Sequence, residues 1–147
     1  MPGQKDLIAF CGLYCGDCYR HKGMIADLAR DLRKELRQDK FDVVAEAMSA
    51  HSFYASFKDY PKCYDLLGEM VKLRCKRTCR GGGGPPVCKI RACCQKKSIE
   101  GCWQCDGFES CQKLDFLKPF HEEAHIKNLK ILRDNGIDSF LAGKRYW

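Results

Sequence analysis

Residues 75–111 read CKRTCRGGGGPPVCKIRACCQKKSIEGCWQCDGFESC and hold eight of the chain's twelve cysteines: Cys75, Cys79, Cys88, Cys93, Cys94, Cys102, Cys105 and Cys111. A run of four glycines, Gly81 to Gly84, and the pair Pro85-Pro86 lie inside the stretch. Three more cysteines, Cys11, Cys15 and Cys18, crowd the start of the chain. Twelve cysteines in 147 residues is about 8%, near the level that marks a cysteine-built scaffold. Loops pinned by sulfur hold such a fold, either as disulfides or as thiolates on metal.

The start of the chain favours metal. A secretory signal needs a basic start, about 7–15 apolar residues and a small-residue cleavage site. MPGQKDLIAFCGLYCGDC instead carries Lys5 and Asp6, with only a short apolar patch before Cys11. No apolar run approaches the ~18 residues of a membrane span. The expectation is a cytoplasmic protein, not associated with membrane, whose reduced thiols coordinate metal.

Structural zinc is held by pairs of closely spaced cysteines, because a short spacing lets both thiolates reach one tetrahedral ion. Cys11/Cys15, Cys15/Cys18, Cys75/Cys79 and Cys102/Cys105 are such pairs, and Cys88-x4-Cys93 is slightly wider. Two zinc ions are expected. One site joins the N-terminal cysteines to Cys75 or Cys79. The other draws four ligands from Cys88, Cys93, Cys102, Cys105 and Cys111. Neighbours in sequence rarely chelate one ion together, so one of Cys93 and Cys94 is spare, and Cys93 is taken as the ligand. His21, three residues after Cys18, is a packed or exposed histidine that could replace a thiolate. Lone Cys63 reads as a small buried residue.

An iron–sulfur cluster is the rival cofactor. Cys11-x3-Cys15-x2-Cys18 has the spacing of the cluster-binding triad of radical S-adenosylmethionine enzymes. Those enzymes resemble β/α barrels, which need ~200 residues or more, and their usual aromatic before the third cysteine is Asp17 here. The ferredoxin run of four close cysteines followed by proline is also missing.

The formal charge of +7 treats every cysteine as neutral. A zinc ion on four thiolates carries −2, so two sites would leave +3, an ordinary surface. Basic and acidic residues are interleaved, and a basic face with aromatics is missing, so a nucleic-acid-binding zinc module is only weakly supported.

The rest of the chain reads as helix. Ile25, Leu28, Leu32 and Leu36 mark the core-facing stripe of an amphipathic helix over 24–38. A second helix spans 41–50 with Phe41, Val44 and Met48 inward. The aromatics Phe53, Tyr54, Phe57 and Tyr60 read as core packing. Asp59 and Pro61 open a third helix over 60–74, with Tyr64, Leu67, Met70, Val71 and Leu73 on its apolar face. Leu114 to Leu132 is mostly helical with an interruption near Pro119. Asn135-Gly136 stops that helix, and a last short one runs from Asp138 to Gly143. Any strand is a short hairpin in the cysteine block. The fold class is therefore mainly α: one small helical domain over 1–147, stapled by cysteine-rich metal-binding loops, with little or no β. Its sections are the N-terminal cluster 1–23, helices 24–74, the metal-binding section 75–111 and C-terminal helices 112–147.

Two further motifs are weighed. Gly81–Gly84, flanked by Arg80 and Arg91, could offer N–H groups to an anion, but it lacks the lysine and Ser/Thr of a phosphate loop. It reads as a connector between metal sites. His121-Glu122-Glu123-Ala124-His125 matches the H-E-x-x-H pattern of zinc peptidases. Such a site needs a third protein ligand, and no histidine follows His125. A charged helix surface is the simpler reading.

CGLYCGDC, Cys-Arg-Gly-Gly-Gly-Gly, CKIRACC, CWQC, FESCQKL and the tail with NLKILRDNGIDSFL and Arg-Tyr-Trp together resemble an uncharacterised family. Its members are small cysteine-rich bacterial and archaeal proteins, known as a domain of unknown function in which zinc binding is expected. The resemblance covers most of the chain. It implies a metal role for Cys11, Cys15, Cys18, Cys79, Cys88, Cys93, Cys102, Cys105 and Cys111. Cys75 falls in the family's region of paired cysteines, with three residues before Cys79 where the family has two. The resemblance implies no activity. The functional expectation is a zinc-binding adaptor with a protein partner, rather than an enzyme.

Overall fold

The computed structural model describes residues 3–147, and the fold is mainly α. The only β feature among the described residues is an isolated antiparallel bridge between Ile8 and Tyr14. It lies at the start of the chain and not in the cysteine block. The chain divides into two compact units: Lys22–Arg74, and the remainder on either side of it.

The unit Lys22–Arg74 contains α1 (Met24–Gln38), α2 (Phe41–Ser49), a 3₁₀ run Ser52–Asp59 and α3 (Tyr60–Lys72). Arg74 ion-pairs with Asp27 in the first turn of α1, and that hydrogen bond holds the Asp27 carboxyl below its usual range. The face of α1 that packs is not the leucine stripe. Ala26 and Ala29 are buried, while Ile25, Leu28 and Leu32 are exposed, Leu28 by 64%. On α3, Gly68 is buried, and a Cβ there would meet the Arg33 guanidinium at 2.7 Å. The contact is finished by Arg33, whose guanidinium lies 4.4 Å from the Tyr64 ring centroid, and by Arg37, which donates to the Tyr64 hydroxyl at 3.0 Å.

The sequence periodicity thus finds α1 correctly and misassigns its inward face. The same holds at α2, where Ala45 is buried and Val44 is exposed. Cys63 is also exposed rather than buried. The aromatics expected in a core are not buried: Phe53 is 88% exposed and Tyr54 is exposed, while half-buried Phe57 and Tyr60 meet Phe41 at ring separations of 6.0 and 5.6 Å.

The other unit holds the large apolar core, including Ile8, Phe10, Tyr14, Ile90, Phe108, Leu129 and Phe140. A tight turn brings the first of these in: Ala9 N–H donates to Leu13 O at 2.8 Å and Gly12 N–H to Ala9 O at 2.9 Å. Gly12 has φ +84, and a Cβ there would lie 2.9 Å from the Leu129 side chain. Helix α4 (Lys89–Lys96) buries Ile90 and Cys94, one helical turn apart.

Pro119 does not interrupt the C-terminal helices. It sits in the first turn of the short helix Lys118–His121, where its missing N–H costs nothing. The break comes later, at Glu122 (φ 47, ψ −118), and α5 (Ala124–Ala142) begins beyond it. Within α5, Gly136 (φ 80, ψ 173) breaks the helical path where Asn135-Gly136 is expected to stop a helix.

Candidate metal centre

Eleven of the twelve cysteines belong to the unit with the large core, and only Cys63 lies in the other. Short 3₁₀ turns present two of the pairs. Cys15–Asp17 forms one, closed by Cys18 N–H to Cys15 O at 3.1 Å, and Cys102–Gln104 forms another, closed by Cys105 N–H to Cys102 O at 2.9 Å. Side chains three residues apart eclipse in a 3₁₀ turn, so each turn presents both sulfurs on one side.

A first group gathers around Cys79. Burial pushes the Cys11 thiol up to about 12, and the neighbouring Cys79 and Cys88 add to the shift. Burial also raises Cys15, with Cys79, Cys18 and Cys75 as electrostatic neighbours. Backbone hydrogen bonds pull the other way: Leu13 to the Cys11 sulfur, Cys79 to the Cys15 sulfur and Phe10 to the Cys79 sulfur. Such donors stabilise thiolate and orient it, the outer-shell role that tunes metal ligands. Cys88 therefore stands with Cys11 and Cys79, whereas the spacing puts it in the second site.

A second group lines a cavity of about 50 Å³: Cys93, Cys94, Cys102, Cys105 and Cys111, with apolar walls from Ile90, Phe108 and Leu114. The Cys94 and Cys102 sulfurs are 3.7 Å apart. The hydrogen bond between them lowers Cys94 and raises Cys102. Lys97 Nζ donates to the Cys105 sulfur at 3.4 Å. Among the described residues, no three Cys, His, Asp or Glu side chains converge closely enough to hold one ion as they stand. The expected ligands are gathered by group, and not as finished coordination shells.

The model of the family described as Protein of unknown function (DUF3795) matches residues 7–116. The chain belongs to this family. All twelve cysteines fall inside the match, and the HEEAH segment and the tail fall outside it. No curated protein and no solved structure matches the chain.

Two arginines outside the expected ligand set flank the glycine-rich loop, and Arg91 holds it. Arg91 Nη1 donates to Cys79 O at 3.2 Å and Gly83 O at 2.8 Å, and Nη2 to Pro85 O at 3.1 Å and Pro86 O at 3.4 Å. Arg80 donates to Ile8 O at 2.9 Å and Glu100 O at 2.8 Å, with its guanidinium 4.7 Å from the Phe10 ring centroid. Both cations are engaged by backbone carbonyls, Arg91 by the loop and Arg80 by Ile8 and Glu100, rather than turned to an anion. Their number and flanking positions are visible in the sequence, but their acceptors are not.

The HEEAH segment is not one helix, because Glu122 breaks it. It is not a charged helix surface either: His125 is fully buried, with no hydrogen-bond partner for either ring nitrogen. Burial lowers the pKa of both His121 and His125. His21 is half-buried, and its Nδ1 has no partner.

Proposed function

We propose that this chain is a zinc-binding protein with two structural four-cysteine sites, working as an adaptor for a protein partner. The supporting observation is the gathering of eleven cysteines in one compact unit, in two groups, with backbone donors already on three sulfurs. Thiolate is a soft ligand that suits zinc, and metal binding would release the protons that burial holds on Cys11, Cys15 and Cys79. The adaptor role draws support from exposed apolar side chains in Lys22–Arg74, among them Leu28, Val43 and Phe53. No helix among the described residues is long and apolar enough to cross a membrane, and reduced thiols agree with a cytoplasmic setting.

Elemental analysis of anaerobically purified protein tests the reading. Two zinc ions per chain are expected, in colourless protein. A stoichiometry near zero overturns it. Iron with sulfide in brown protein would replace it with an iron–sulfur reading, which the apolar walls of the five-cysteine cavity favour as second choice.

A further inference from the structure

We infer that the helix α4 ligand of the second metal site is Cys94, not Cys93, and that the site is Cys94, Cys102, Cys105 and Cys111 around one tetrahedral thiolate metal. This inference rests on the metal-binding reading and assigns its ligands. Both the sequence spacing and the family resemblance point to Cys93 instead.

The sulfur separation is the first argument. Zinc–sulfur bonds are about 2.3 Å, and at tetrahedral angles two ligands of one ion stand about 3.8 Å apart. Cys94 and Cys102 already stand at 3.7 Å. A disulfide would need about 2.05 Å, so the pair has the spacing of co-ligands.

Helix geometry is the second. Residues four apart share a helical face, and adjacent residues do not. Cys94 shares its face with Ile90, and both are buried, at 1% and 2% exposure. Cys93 shares its face with Lys89 and Lys97, both exposed. The sulfur of Cys94 is therefore carried by the inward stripe of α4, and that of Cys93 by its wetter edge.

The remaining ligands follow from the turns. Cys102 and Cys105 come from one 3₁₀ turn, and Cys111 closes the next, Phe108–Ser110, with its N–H on Phe108 O at 3.2 Å. All four line the same cavity, which Cys93 also lines, so the choice between the two α4 cysteines rests on the sulfur separation and the helical face. Lys97 on the Cys105 sulfur offsets part of the −2 charge of a four-thiolate zinc. Cys93 is then a fifth cavity-lining thiol left outside the shell.

The test is NMR of the intact protein loaded with NMR-active cadmium, a soft metal that reports its ligands by scalar coupling to the cysteine β protons. Coupling is expected at Cys94, Cys102, Cys105 and Cys111, and not at Cys93. Coupling at Cys93 without Cys94 overturns the inference while leaving the metal-binding reading intact. Failure of the protein to take up cadmium overturns both. Cobalt titration adds a second readout: Cys94→Ala should lose one of two equivalents and Cys93→Ala none. Equal loss in the two variants overturns the assignment.

Discussion

The Asn128 side chain closes a two-way bridge to the backbone of Tyr146: Nδ2 donates to Tyr146 O at 2.8 Å, and Oδ1 accepts from Tyr146 N–H at 2.9 Å. Asn128 is fully buried. The neighbouring Arg145 adds an ion pair to Asp17 at 3.0 Å and lies 4.5 Å from the Tyr14 ring centroid. The C-terminal residues are thereby tied to the N-terminal cysteine turn.

Replacing Asn128 by alanine removes both bonds and leaves a cavity. A loss of about 2–3 kcal/mol of stability is expected. Urea unfolding measures it. Asn128→Asp should also destabilise, because a carboxylate accepts from Tyr146 N–H but cannot donate to its carbonyl. An aspartate variant as stable as the parent would show that the amide donor contributes nothing.

Arg91 binds three carbonyls of the glycine-rich loop, and that of Cys79 before it, through one planar fork that lysine cannot reproduce. Arg91→Lys should open the Gly81–Pro86 loop to proteolysis and cost about 1–3 kcal/mol. Added phosphate should not raise the parent's melting temperature. A clear phosphate-dependent rise would return the loop to an anion-binding role.

Helical periodicity reveals that α1, α2 and α3 exist, because apolar spacing reports local conformation. It does not reveal which side of α1 packs. That depends on what the facing helix offers, and Gly68, 35 residues after Arg33, is what leaves room for the Arg33 guanidinium. The cysteine pairs are legible from spacing for a similar reason, since a 3₁₀ turn is local. The grouping of Cys88 with Cys11, and the inward position of Cys94, depend on how distant parts of the chain pack into one core with Phe10 and Ile90. No spacing within a short window carries that. His125 escapes for the opposite reason: its motif is conspicuous, and the strained Glu122 that breaks the motif is ordinary in composition.

His125 makes stability depend on pH. Burial penalises the imidazolium, so its folded pKa lies below the ordinary value of 6.5. The groups acting on it are Glu123, His121, Lys118 and Asp115. The unfolded chain takes the proton more readily than the folded one. The stability contribution is therefore complete above the unfolded pKa and is lost as pH falls below it toward the folded pKa. His125→Leu, apolar and without a titrating group, should show a smaller drop in melting temperature between pH 7 and pH 5 than the parent. Metal loss at acid pH is common to both proteins, so the difference isolates the histidine. Replacing His121 and His125 together by alanine should leave metal content unchanged. Loss of one zinc equivalent in that variant would establish a metal site at the HEEAH segment.

The last expectation concerns Cys15 and Cys18. They precede Lys22–Arg74 in sequence, and Cys75 and Cys79 follow it. An ion shared by the two pairs closes a loop of 56 residues between Cys18 and Cys75. The entropy of closing a loop grows only slowly with its length, so a metal offsets it easily. Apparent zinc-binding free energies of about 10–16 kcal/mol in small fingers exceed the stability of most domains. The enclosed segment has little to fall back on, since the apolar side chains it buries among the described residues are alanines: Ala26, Ala29 and Ala45. Cys15→Ser with Cys18→Ser should therefore lose one zinc and lower the melting temperature sharply. Cys63→Ser should change neither, because Cys63 is exposed and remote in sequence from both pairs. If the double variant keeps both metals and melts like the parent, the N-terminal cysteines are not a staple. Their chemistry would then lie in a reactive thiol or an open metal position.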